Sequence, residues 1–291
     1  NEGYHADKGT YNRLYRTLIN ITTLLRTRTY ETLKGKKFII PEYIDYAVPT
    51  TEKQFIGNLP WGTVITGPDA EAFTAGVQWY NQGERGNHRV DIDLHMNSAT
   101  EHFGWNGGFR DGRQVIYTGD QTSAPLPNGA AEAFWFQPKD DEKFILSVNL
   151  FSGPQDMPFK FAISEEQPSR DDLRNEQFTF RNPIFAPVPL KFNGDCTSMT
   201  IGMFIGHNFH LFGGQLTSGI VPSGDYAAYV DGIAAQLNSK WMMTEFLAEM
   251  GAEVYEALPD GLTEEEAAEF IDLSPEALTA TTLFDILDGN I

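Results

Sequence analysis

With one cysteine in 291 residues, Cys196, the chain has no internal disulfide and no thiol pair for a zinc site. No apolar run is long enough to span a bilayer, and no signal-peptide pattern opens the chain. Basic residues are few, 21 Lys and Arg against 40 Asp and Glu, for a formal charge of −19. Such a surface repels phosphate backbones, which argues against general nucleic-acid binding, and it attracts cations. Catalytic signatures are equally scarce. There is no Gly-x-Ser-x-Gly, and Cys196, in Gly194-Asp195-Cys196-Thr197-Ser198, has no local helper. Gly213-Gly214-Gln215 lacks the Lys-Ser/Thr that a phosphate loop needs. These absences point to a non-enzymatic binding or assembly protein in a reducing, cytoplasmic compartment. The chain opens on Asn1 and a polar stretch, not on Met, which reads as a piece of a longer polypeptide.

Aromatic residues, by contrast, make up 13% of the chain, with 21 Phe, and Phe fits the half-buried pleated surface of a sheet. Three segments differ in pattern. Residues 1–37 form an N-terminal helical region in which Tyr11, Leu14, Tyr15, Leu18, Ile21, Leu24 and Leu25 recur at helical spacing. Arg13, Arg16, Arg26 and Arg28 sit among them, Lys34, Lys36 and Lys37 follow, and Gly35 is a helix stop. The helix reads either as an amphipathic element docked on the domain or as a partner-binding arm.

Residues 38–219 read as β-structure, short β-branched and aromatic runs punctuated by Gly, Pro and Asn. Strands are expected at Lys53–Gly57, Ala72–Tyr80, Arg89–Met96, Phe103–Asn106, Gln114–Thr118 and Ala131–Gln137. More are expected at Lys143–Phe151, Phe159–Ser164, Gln177–Phe180, Met199–Ile205 and Phe209–Phe212. The gaps are too short for parallel crossovers, so the expected fold is mainly β, an antiparallel β-sandwich with flanking N-terminal and C-terminal α-helices. Residues 220–291 turn helical and acidic: Asp225 is a candidate N-cap, Tyr226, Tyr229, Ile233 and Leu237 line one face, and Met242, Phe246 and Met250 continue the stripe. Thr263 with Glu266 is a capping box, and Ser274-Pro275 marks one more helix start. No Lys or Arg follows Lys240, so this tail is a solvated acidic face or a dock for a basic partner.

The chemistry concentrates between residues 87 and 136. Asp91 and Asp93 alternate with Val90, Ile92 and Leu94, so on a strand both carboxylates leave one face. Like charges there repel, and a hard divalent cation such as Ca2+ removes that cost. Gly119-Asp120-Gln121-Thr122 is an acidic turn, and Asn128-Gly129 precedes Glu132. With Asn106 and loop carbonyls, these carboxylates reach the six to eight oxygens calcium takes. From the residues alone, a solvated acidic surface stands beside a metal site as an equal reading. His207 and His210 are three apart but belong to a hairpin turn, and His95 shares the face of Asp93.

The runs Arg89-Val90-Asp91-Ile92-Asp93-Leu94, Gly104-Trp105-Asn106, Tyr117-Thr118-Gly119-Asp120 and Ala130-Ala131-Glu132 resemble the core signature of the TerD (tellurite-resistance) family. The similarity spans about Thr63 to Glu165 and leaves the helical flanks outside it. The resemblance implies a calcium-binding β-sandwich of a bacterial stress-response system, in a divergent variant with extra helices. It places calcium at Asp91, Asp93, Asn106, Asp120 and Glu132. Gly119-Asp120-Gln121-Thr122 departs from the family's frequent Gly-Asp-Asn-Arg, and the family's run of acids is reduced here to Glu132. The alternative is a structural component of a large particle, for example a virion protein, that uses the sandwich for packing without metal. Protein partners and self-association are expected in either case.

Overall fold

In the computed structural model the described residues are 8–51, 53–105, 115–154, 157–168, 178–181, 183, 188–192, 197–214 and 226–291. The chain begins with α1 (Lys8–Leu33), β1 (Lys37–Ile39), β2 (Ile44–Asp45), β3 (Phe55–Ile56), β4 (Leu59–Pro60), β5 (Val64–Thr66) and β6 (Phe73–Trp79). There follow β7 (Asp91–Asn97), β8 (His102–Phe103), β9 (Ile116–Tyr117), β10 (Ala130–Phe136), β11 (Lys143–Ser152) and β12 (Pro158–Ser164). Next come β13 (Val188–Lys191), β14 (Ser198–Ile205), β15 (Asn208–Gly214), α2 (Tyr226–Asn238) and α3 (Met243–Glu249). The chain closes with β16 (Glu253–Tyr255), α4 (Glu264–Ala267), β17 (Phe270–Asp272) and α5 (Ala280–Asp288). No helix of the described residues is long and apolar enough to cross a membrane.

Residues 42–242 form one unit, an antiparallel sandwich. One sheet runs β13-β12-β6-β10-β9 and the other β2-β5-β15-β14-β11-β7-β8. Period-two alternation sends Phe73, Phe134 and Phe136 of the first sheet inward, where Phe73 and Phe136 meet Phe204 of the second at centroid distances of 5.6 and 4.9 Å. Phe161 stacks on Phe209 at 4.2 Å. Each such ring, fully removed from water, contributes on the order of 2–3 kcal/mol. The outer side of the first sheet is covered as well: the small side chains of Ala131, Ala133 and Ala162 leave room for Phe178 and Phe180. Gly76 is required on β6, because a Cβ there would lie 2.1 Å from the Glu132 carbonyl oxygen on β10. On the second sheet, Val230, Ala234 and Leu237 of α2 pack over Ile145 and Met203.

The second unit joins the residues up to Pro41 with Met243–Ile291. Its sheet is parallel, β16-β1-β17, with β1 between two strands more than 200 residues downstream, Lys37 opposite both Glu253 and Phe270. The last turns of α1 are anchored within this unit. Leu33 is buried, the Thr29 hydroxyl donates to the Leu287 carbonyl, and Arg26 pairs with Glu249 at 2.6 Å. The expected capping box is present, with Thr263 and Glu266 each capping the other's backbone.

Several expectations are corrected. The three segments 1–37, 38–219 and 220–291 give way to two units, because β1 needs partners from the chain end and α2 belongs on the sandwich. Ser274-Pro275 opens a turn, and α5 starts later, capped by the Thr279 hydroxyl. Phe178–Phe180 is an apolar cover and not a strand. Leu14, Leu18 and Leu25, the apolar face read as docked, are exposed. Asp225, Gln177 and Cys196 lie outside the described residues.

Candidate metal centre

β7 is bordered on one side by β11 over its length and on the other by β8 at Met96 and Asn97 only. Its first half therefore presents an edge that no neighbouring strand pairs among the described residues. The segment after β9 runs along that edge, turning at Gly119, whose φ of 104° favours glycine. Asn81 fixes both pieces: its side-chain carbonyl accepts from the backbone N–H of Val90 and of Ala124, each at 3.0 Å. Arg89 donates to the Thr122 carbonyl and adds a second tie.

This alignment gathers three carboxylates. Val90, Ile92 and Leu94 go into the core at 0% exposure, so Asp91 and Asp93 emerge together on the opposite face of β7. Asp120 comes from the loop, and one carboxylate oxygen from each of Asp91, Asp93 and Asp120 lies within 4.8 Å of the other two. Asp91 and Asp93 are buried, at 2% and 5% exposure. Arg89 donates to Asp91 Oδ2 at 2.9 Å, and Asn149 on β11 donates to Asp93 Oδ2 at 3.3 Å. Ser198 on β14 in turn donates to the Asn149 side-chain oxygen Oδ1 at 2.9 Å, so a polar row crosses three strands and orients Asp93.

Two oxygens are left over. Asp91 Oδ1 and Asp120 Oδ1 are buried and have no hydrogen-bond partner among the described residues. An orphaned buried carboxylate oxygen costs about 1–3 kcal/mol or more, and a cation removes that cost. Burial raises the Asp93 carboxyl to about 6, with the charges of Asp91 and Asp120 adding to the shift against the Asn149 hydrogen bond. Burial likewise raises Asp91, held back by Arg89. The donors are all hard oxygens, with neither imidazole nor thiolate among them, which suits Ca2+ or Mg2+ better than zinc. Three carboxylates less one guanidinium leave a formal charge of −2 for a divalent ion to neutralise.

Glu132 is not a member of this group. It alternates with Phe134 and Phe136 and so lies inside the sandwich at 0% exposure. Both its oxygens are engaged: Oε2 accepts from the Leu94 N–H at 2.8 Å and the Tyr117 hydroxyl at 2.5 Å, and Oε1 accepts from the Gln121 N–H at 2.8 Å. Burial outweighs these bonds and raises its carboxyl to about 8. The expected ligand is instead the brace that holds the Asp120 loop to the β7 edge across the two sheets.

Of the expected residues, then, Asp91, Asp93 and Asp120 come together, Glu132 supports them from behind, and Asn106 lies outside the described residues. His95 stacks on His102 at 5.2 Å, and burial lowers it to about 4. His207 lies in the β14–β15 turn. Sequence reasoning missed Asn81, Arg89 and Asn149. Arg89 was legible, since Arg and Asp two apart on a strand share a face. Asn149 depends on the β7–β11 register.

No family model matches the chain, and no curated protein matches it. A solved structure described as a protein of unknown function, SAV2460, superposes over 55% of this chain and 96% of its own, at 13% identity and a TM-score of 0.35. A likeness at that score carries no argument about what this chain does.

Proposed function

We propose that the sandwich unit is a non-enzymatic divalent-cation module that takes Ca2+ at Asp91, Asp93 and Asp120, in the manner of the TerD-like stress proteins its sequence resembles. The observation that carries this reading is the pair of orphaned buried oxygens, Asp91 Oδ1 and Asp120 Oδ1, within one group of three aspartates. A cation satisfies both at once and links β7 to the loop beside it. The role that follows is to order a binding surface for a protein partner in a reducing, cytoplasmic setting. The test is calorimetric titration of chelator-treated full-length chain with Ca2+. We expect one ion per chain and a rise in melting temperature, because a ligand bound only to the folded state at a hundredfold excess adds about 2.7 kcal/mol. Asp91→Asn with Asp93→Asn removes both. No heat and an unchanged melting temperature across chelator and millimolar Ca2+ reject the site.

One observation favours a second reading, a metal-free structural component of a large particle. Arg89 already neutralises Asp91, and Asn149 already hydrogen-bonds Asp93. Under that reading Arg89→Gln destabilises the chain equally with and without Ca2+, whereas under the first Ca2+ restores most of the loss.

A further inference from the structure

The apolar face of α1 is exposed along the part of the helix that precedes its anchored last turns. Tyr11, Leu14, Leu18, Ile21 and Leu25 follow a strict three-four spacing, and each is between 50% and 63% exposed. That spacing is the a/d seam of a coiled coil, with the exposed Tyr15 and Leu24 beside it and Ile19 outside it. From these residues we propose that α1 is a self-association element, which pairs with α1 of a second copy of this chain along this seam.

The charge pattern selects that occupant. On the seam register the flanking positions carry Thr10, Thr17 and Thr22 with Tyr15 and Leu24, so two copies meet without a like-charge contact. Arg13, Arg16 and Arg26 fall on the positions turned away from the seam. Next in register stands Arg28, whose guanidinium donates to the Asn290 side chain in its own unit, so the seam ends at Leu25. An anionic lipid surface is the poorer fit, because it repels a chain of charge −19. The area also suffices. Seam and flanks together offer on the order of 600–800 Å² per copy if each fully exposed side chain presents roughly 150–200 Å², against about 800 Å² per partner in a standard stable interface. One stripe meeting its own copy is an isologous contact, which closes as a dimer and does not propagate into filaments.

The experiment is sedimentation equilibrium of the full chain from low to high micromolar concentration, at low and high salt and with or without chelator. We expect a concentration-dependent mass approaching twice 32.6 kDa, insensitive to chelator and not weakened by salt. Leu18→Glu combined with Ile21→Glu weakens the dimer at least tenfold. Both side chains are exposed in the single copy, so the melting temperature of the dilute protein stays unchanged and the variant remains folded by circular dichroism. Arg13→Gln with Arg16→Gln leaves the dimer intact. A mass of one chain at every concentration overturns the proposal, as does a dimer indifferent to Leu18→Glu with Ile21→Glu or one dissolved by salt. Co-sedimentation of the wild type as single copies with phosphatidylserine vesicles overturns it too, in favour of a membrane-surface helix.

Discussion

Replacing Glu132 tests how the candidate centre is built. Its two oxygens serve two backbone N–H groups separately, Leu94 on Oε2 and Gln121 on Oε1. A carboxyl group, ionised or protonated, keeps a lone pair on each oxygen and serves both. A glutamine offers one oxygen and one NH2, so in either orientation one N–H faces a donor inside the sandwich. One buried N–H without a partner costs about 1–3 kcal/mol, so Glu132→Gln destabilises by about 2 kcal/mol. Glu132→Ala orphans both N–H groups and the Tyr117 hydroxyl and leaves a void, for about 3–5 kcal/mol. At roughly 2–4 °C per kcal/mol for a unit of this size, melting falls by roughly 6 °C and 12 °C. The assay is thermal and urea unfolding by circular dichroism, with Ca2+ titration of each variant. Because Gln121 adjoins Asp120, the glutamine variant also binds Ca2+ at least tenfold more weakly. pH adds a second readout. The folded carboxyl titrates near 8 and the unfolded one near its ordinary value of 4.5, so the folded state holds the extra proton between them. The contribution of Glu132 is thus fully present below pH 4.5 and is lost as pH rises through 8. The difference between wild type and Glu132→Gln therefore shrinks over that window. A glutamine variant as stable as wild type, or an alanine variant no worse than the glutamine one, refutes the bracing role.

Asn81→Ala removes the acceptor shared by Val90 and Ala124, and urea unfolding should show a loss of about 2 kcal/mol together with weaker Ca2+ binding in calorimetry. His210 gives the opposite pH signature to Glu132. Burial lowers it to about 4 against 6.5 unfolded, so the unfolded chain binds the extra proton between those values. Its contribution is lost as pH falls from 6.5 through 4, by up to about 3 kcal/mol, and His210→Phe should flatten that part of the stability–pH curve.

The period-two signal carried far in this chain. Alternation at residues 89–96 told which side chains of β7 enter the core, and the same rule applied to Glu132, Phe134 and Phe136 puts Glu132 on the inward face. The Asn128-Gly129 turn and the resemblance drew attention to its charge and away from its phase. What no local pattern carries is the partner. Leu94 N–H is available because β8 covers β7 only at Met96 and Asn97, and Asn149 reaches Asp93 because β11 pairs in one register and not the next. Those facts belong to strand pairing and its register, and the β7–β11 partners lie 48 to 61 residues apart in sequence. The unit boundaries were hidden for the same reason. Lys37–Ile39 reads as a brief strand at the start of a β-region, yet its partners Glu253–Tyr255 and Phe270–Asp272 lie at the other end of the chain. Helical periodicity identified α2 correctly as a helix and could not say that Val230, Ala234 and Leu237 complete the sandwich.

The scale of the charges decides how a cation could act here. One divalent ion changes a formal charge of −19 by two, too little to alter the repulsion across the molecule as a whole. Its effect must be local, at the seam between the β7 edge and the 119–124 loop. That seam is held by Asn81 at one end and Glu132 at the other, and by Arg89 between them, all through hydrogen bonds to backbone groups. Each brace fixes main chain and leaves the carboxylates of Asp91, Asp93 and Asp120 facing one another, so the framework enforces the very crowding that disfavours their charge. A brace that merely stabilised the sandwich would serve equally well with neutral side chains at those three positions. With aspartates there, burial and mutual repulsion raise Asp91 and Asp93, and the fold carries a local cost that a bound cation turns into a gain. Ordinary monovalent salt screens that repulsion without satisfying Asp91 Oδ1 and Asp120 Oδ1, which is why a saturable response to Ca2+ at one ion per chain, over a constant salt background, is the signature that separates coordination from screening.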